Sequence, residues 1–229
     1  MLRLCYNPLL AGRCQPIDGE YVYTVWSIIK KTGLDIWEEI LKLLVFNLMW
    51  VLSVVLILPW PFITFGLFFT AKDIGEGRGV SFFSPFTYGL QVLKPAYTWA
   101  IINLAVYFGI FLNLNFYSGL DAVWAKFVQV FILSLALFWT ILQLVMLAMY
   151  PRLTIPSFKL AIRNALIITS RHPLSIFAMV MGAVIILALS TFAPVIILLL
   201  SVSAVIMLIN NVVDAVVAQE LKYEESDSR

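Results

Sequence analysis

Charge is what this sequence has least of. Of its 229 residues only 12% are Asp, Glu, Lys or Arg, whereas 62% are hydrophobic; a water-soluble domain carries about 25% charged residues. That shortage of polar surface excludes a soluble globular particle of this size. His172 is the one histidine, so bis-histidine haem ligation within the chain is excluded. No Ser–His–Asp or Cys–His nucleophile set assembles inside the apolar runs either. Cysteine is limited to Cys5 and Cys14. They stand before the first apolar run with no histidine near them, which is not a metal-ligand spacing, and they read as two reduced thiols. The chain is therefore expected to hold no metal or cofactor and to be no enzyme. A net charge of +2 gives nucleic acid no purchase.

What is present is long, uncharged apolar sequence. Continuous runs of about 20 residues read as membrane helices, and their lack of strict alternation sets aside a β-barrel. The expected fold is all-α: a polytopic membrane helical bundle of about six membrane helices, with interfacial amphipathic helices added. Three regions follow. Residues 1–33 form a cytoplasmic or interfacial extension, 34–218 the membrane helical domain and 219–229 a polar tail. The opening MLRLCYNPLLAGRCQP is interrupted by Asn7 and Pro8 and lacks the unbroken apolar core of a cleavable signal. Residues 20–31 suit an amphipathic helix at the headgroups, ended by Thr32-Gly33. Residues 34–58 read as one long helix whose Asp35, Glu38 and Glu39 favour a helix start.

The stretch LPWPFITFGLFFTAKD, residues 58–73, decides the topology. Pro59 and Pro61 lack an amide hydrogen and disfavour helix just before them. Pro61 then suits the first turn of a new helix. Length alone leaves a hairpin and a single kinked pass open. Charge separates them. With a hairpin at Pro59-Trp60-Pro61, 14 of the 15 basic residues share one face and Lys126 alone opposes them. With a single pass, five N-terminal cations oppose nine others. The positive-inside rule prefers the hairpin. Later spans are read at about 96–117, 123–149, 174–190 and 194–213, and both termini are placed in the cytoplasm. Trp60, Tyr117 and Trp124 are expected near the outer interface.

The cytoplasmic connectors carry Lys72, Arg78, Lys94, Arg152, Lys159, Arg163 and Arg171. Two of them repeat a theme: an apolar helix-capable stretch, a cation, then Pro95 or Pro173. This is read as the shared chemistry of entering a bilayer, in preference to an internal repeat. These segments suit other membrane subunits or anionic lipid. DIGEGRG (73–79) lacks the Gly-Lys-Ser/Thr ending of a phosphate loop and reads as a flexible cytoplasmic turn.

Uncharged polar residues interrupt the runs. Asn47, Asn103, Asn113 and Gln143 are read as hydrogen-bonding glue between helices, with a polar cavity as the competing reading. Asn210, Asn211 and Asp214 form either a pocket at the end of the last helix or the point where that helix leaves the bilayer; the second is preferred. Ala178-x-x-x-Gly182 offers a close helix approach.

Asn47-Leu48-x-Trp50, Leu58-Pro59 followed by Thr64-x-Gly66, the Phe-rich stretch Phe82–Phe86 and the connector YPRLTIPSFKLAIRNALIITSRHP together resemble the YesL-like family of small bacterial membrane proteins, a domain of unknown function. The similarity covers roughly residues 40–215, with the first 33 residues as an extension. Trp60-Pro61 departs from the aliphatic pair more usual there. The resemblance implies an inner-membrane protein without an established activity. Members lie near carbohydrate-uptake genes, which implies an accessory to sugar import. It implies no catalytic or ligand residue.

The functional expectation is a non-enzymatic accessory or scaffold subunit of a larger membrane assembly. The alternative is a component or helper of carbohydrate transport, with Asn47, Asn103 or Gln143 lining its path. A pigment- or quinone-shielding subunit is the weakest reading, carried by 14% aromatic residues.

Overall fold

The structure, a computed structural model, describes residues 25–153, 155–191 and 200–227. The expectations for residues 1–24, including Cys5 and Cys14, lie outside the described residues. Nine helices are described: α1 (Val25–Glu38), α2 (Ile40–Leu56), α3 (Trp60–Gly75), α4 (Ser84–Gln91), α5 (Leu93–Ser118), α6 (Val123–Met149), α7 (Phe158–Arg171), α8 (Pro173–Thr191) and α9 (Val202–Asp227). A short 3-10 turn, Tyr150–Arg152, prolongs α6. The described residues contain no strand, as the unbroken apolar runs require.

Two helices form the centre. In α3 eleven residues from Pro61 to Ile74 are buried, and α9 buries Met207, Ile209, Val213 and their neighbours. The helices α2, α4, α5, α6 and α9 pack on α3; α1, α2, α6 and α8 pack on α9. Burial on all sides explains why α3 is apolar all round.

The chain reverses at residues 57–59. Trp50 Nε1 on α2 donates to Thr64 Oγ1 on α3 at 3.1 Å, and Leu43 and Phe46 line one small cavity with Leu67 and Ala71. Positions pair downward on one arm as they rise on the other, the signature of an antiparallel hairpin. Pro61 sits in the first turn of α3, where its missing donor costs nothing. The turn itself is tight. Ile57 has φ +61° and ψ −50°, and Leu58 N donates to Leu56 O at 2.6 Å, which together make a γ-turn of the rarer, strained hand.

Four expectations need correction. Residues 34–38 belong to α1, which runs through Gly33 because Thr32 is buried beneath α9; the break comes at Glu39, with α1 and α2 bent by 86°. The boundary at 33/34 therefore falls inside a helix. The boundary at 218/219 also falls inside a helix, because α9 continues to Asp227. Four helices, α5, α6, α8 and α9, are long and apolar enough to cross a bilayer, five if the bent α1–α2 pair counts as one span. The hairpin arms have 17 and 16 residues, so the expected six full spans are not reached on length. Finally, Trp60 stacks on Trp99, whereas Tyr117 meets Trp124 about 27 Å further along α5. These aromatics form two clusters, not one belt.

Small residues set the closest approaches. A Cβ on Gly66 would lie 1.8 Å from Pro85 O, and one on Gly89 2.4 Å from Phe62 O, so α3 and α4 touch backbone to backbone. Gly182 leaves room for the Leu208 side chain of α9, whose Cδ2 would lie 2.8 Å from a Cβ there, a close approach of α8 as the Ala178/Gly182 spacing predicts. Pro173 opens α8. Residues 104–137 of the α5–α6 pair differ: most of their large apolar side chains, among them Phe108, Phe111, Phe127 and Phe131, are exposed.

Candidate functional site: the polar end of the bundle

The largest polar assembly joins the end of α6 to α1, α3 and α9. Arg152 is its centre, with only 6% of its side chain exposed. Nε and Nη2 both reach Asp214 Oδ1, at 2.8 and 2.6 Å. Nη1 donates to Asn210 Oδ1 at 3.0 Å and to Ala148 O, and Nη2 donates to Asn210 O at 3.2 Å. A planar guanidinium with five donors is the side chain able to hold so many acceptors at once. Arg152 is therefore a core cation and not an interfacial one, a correction to its expected place. Asp214 does not merely mark where a helix leaves lipid; it neutralises Arg152, although 31% of its side chain stays exposed.

One turn away Asn211 joins α1 to α9. Its Nδ2 donates to Thr32 Oγ1 at 3.0 Å and to Asp35 Oδ2 at 2.9 Å, and Lys31 Nζ donates to Gly75 O at 2.9 Å. Asn211 Oδ1 is buried without a partner. At the foot of α3, Lys72 Nζ donates to Pro151 O at 3.1 Å and pairs with Glu76. Arg78 pairs with Asp73 at 3.0 Å and with Glu76. Tyr88 donates to Asp73 Oδ2 at 2.6 Å; that bond, helped by burial and by the Asp73 charge, pushes its phenol up to about 12. Gly75 ends α3 and Gly77, at φ +69°, turns the chain beyond it; the turn is braced by these pairs, where the sequence reading expects a flexible one.

A second group fixes α9 to the junction of α7 and α8. Glu220, with 5% of its side chain exposed, accepts from Arg171 Nη1 at 2.5 Å and lies 2.6 Å from His172 Nε2. The reading of Glu220 as part of a polar tail missed this carboxylate, whose burial depends on where α7 and α8 meet α9.

The remaining polar positions are interior fasteners. Asn47 on α2, fully buried, accepts from Val202 N at 2.9 Å and Ser203 N at 3.2 Å. It caps the start of α9 from another helix, meeting donors that lipid leaves unpaired. Trp99 Nε1 donates to Gln143 Oε1 at 2.9 Å, Asn103 Nδ2 to the same oxygen at 3.3 Å, and Trp139 Nε1 to Asn103 Oδ1 at 3.0 Å. Asn103 and Gln143 are therefore packing glue between α5 and α6, while Gln143 Nε2 is left without a partner. Asn113 bonds only its own helix, at Gly109 O. A cavity of about 10 Å³ between α2, α3 and α9 touches Ser203; it has room for one water.

Of the cationic connectors, Lys94, Lys159 and Arg163 are exposed. Among the described residues no group of histidine, cysteine, aspartate and glutamate has the arrangement of a metal site. No family model, no curated protein and no solved structure matches this chain.

Proposed function

We propose that this chain is a non-enzymatic scaffold subunit of a larger membrane assembly, set in a bacterial inner membrane with both termini cytoplasmic. The observation that carries the reading is the outer part of the α5–α6 pair. There two long helices turn large apolar side chains outward, among them Leu104, Phe108, Phe111, Phe116, Val123, Phe127, Phe131 and Phe138, and among the described residues they lean chiefly on each other. A pair of such length, unsupported by its own bundle, suits a neighbouring membrane helix. The polar residues that a carrier needs at a solute path are instead bonded to one another or to helix ends. The proposal includes the YesL-like resemblance read from the sequence, for which no family model matches; transport assistance is the second reading, favoured by the unpaired Gln143 Nε2.

Photo-crosslinkers placed at Phe108 and Phe127, with Phe177 on α8 as a control, test this in intact cells. A discrete adduct with one membrane protein from the two arm positions, absent at Phe177, is expected. Adducts with lipid alone at all three positions overturn the proposal. Loss of uptake of one sugar class in a deletion strain, with the adduct intact, moves the choice to transport assistance.

A further inference from the structure

The helix α7 has a face that the polar assembly does not use. Its buried side is Ala161, Asn164, Ala165 and Ile168, two alanines that let α7 lie close against α6. The opposite side carries Lys159, Arg163, Leu166 and Ser170, all exposed and spaced to share one stripe of a helix. Neither Lys159 nor Arg163 has an ion-pair partner among the described side chains, where every other basic residue of the polar assembly has one or donates to a carbonyl. The sequence explains this: no aspartate or glutamate occurs between Asp121 and Asp214. Apolar side chains bracket the stripe. Ile155 before α7 and Leu174 after it are both 77% exposed, and Phe177 follows at the start of the α8 span.

We propose that this face is a binding site for anionic phospholipid headgroups. The chemistry is mutual. Lys159 and Arg163, one turn apart, offer fixed donors to a phosphodiester, while Ile155, Leu166, Leu174 and Phe177 require acyl chains to cover them. A water-facing acidic protein answers the two cations and leaves those four apolar side chains exposed; a monolayer with negative headgroups answers both. Helices with cations among apolar side chains hold such interfaces through buried apolar area and charge together. The site stands apart from the α5–α6 arm and does not depend on the scaffold reading.

The full-length chain, with Cys5 and Cys14 replaced by serine and Leu166→Cys carrying a spin label, is placed in nanodiscs of phosphatidylglycerol or of phosphatidylcholine. Label immersion is expected in phosphatidylglycerol and is expected to weaken with salt. Lys159→Gln with Arg163→Gln lowers phosphatidylglycerol retention, counted by native mass spectrometry, by roughly tenfold, and the swap Lys159→Arg with Arg163→Lys restores it. Both side chains are exposed, so the thermal midpoint of the variants stays at the parent value. Inorganic phosphate at millimolar concentration does not displace the lipid; displacement reassigns the site to a free anion and overturns the proposal. Equal immersion in both lipids, or undiminished retention in the double glutamine variant, also overturns it, and a water-exposed label in both makes the face a protein contact instead.

Discussion

At the scale of single residues, Arg152 shows how a membrane bundle tolerates a buried charge. Its five N–H donors meet oxygens of Asp214, Asn210 and Ala148, so its desolvation is offset. Removing one member of a buried pair strands the other, at about 3–5 kcal/mol. Arg152→Ala is expected to cost about 3 kcal/mol, the lower end because Asp214 is partly exposed. Arg152→Lys should recover little of it, since one ammonium cannot span the same acceptors. Thermal unfolding in detergent by near-UV dichroism measures both. Ile57 offers the opposite sign. Its positive φ in a γ-turn strains a β-branched residue by about 1–3 kcal/mol, and its side chain is exposed and supports no packing. Ile57→Gly is expected to stabilise by about 1 kcal/mol in the same assay. Neither residue announced its role in the sequence. Arg152 stands among seven connector cations, and its burial follows from where α9 passes, a long-range fact.

Helical elements were far easier to read than their ends. The apolar runs gave α5, α6 and α8 to within about three residues, because lipid permits only one backbone solution for such runs; the span read at 194–213 is instead described as α9 from Val202 to Asp227, since the helix continues past the apolar run into polar sequence. The reversal at Pro59 and Pro61 was legible for the same reason that proline breaks helices anywhere, and the pairs Trp50–Thr64 and Gly66–Pro85 give the quoted spacing a purpose. The illegible parts depend on neighbours. Gly33 looked like a stop, yet α1 continues through it, since Thr32 and Asp35 are held by Asn211. The segment 81–95 looked like a connector at the headgroups, yet α4 lies flush on α3. That contact carries a prediction. Gly66→Ala or Gly89→Ala places a methyl against backbone carbonyls that cannot rotate away. Either should cost about 2–3 kcal/mol and expose the 82–93 segment to proteolysis. Gly33→Ala, with nothing within 4 Å of its Cβ, should instead stabilise α1 by about 0.5–1 kcal/mol.

The whole molecule has a sidedness that its cations propose and labelling can check. The polar end gathers Lys31, Lys72, Arg78, Arg152 and Arg171, and the α5–α6 loop lies at the far end of the longest helices. On a background lacking Cys5 and Cys14, Asp121→Cys is expected to react with a membrane-impermeant thiol reagent applied to intact cells. Gly79→Cys is expected to react only after permeabilisation. The reverse pattern inverts the topology. The hairpin matters less to this outcome than its prolines suggest. A pair of antiparallel arms returns the chain to the side it left, whether or not the tip clears the bilayer. One cation departs from the grouping read from the sequence: Tyr97 donates to Leu58 O at 2.8 Å, so Lys94, one turn before it, lies at the level of the hairpin tip and not beside Lys72.

The fastening of α9 also has a consequence in time. Asn47 waits for amides 155 and 156 positions downstream, and Thr32 and Asp35 wait for Asn211 across a still longer separation. A ribosome delivers these partners late. Until α9 emerges, the early helices sit in lipid with polar groups unanswered. The growing chain stays provisional until that helix arrives, and a product cut short before Val202 carries a built-in mark that a quality-control protease can read.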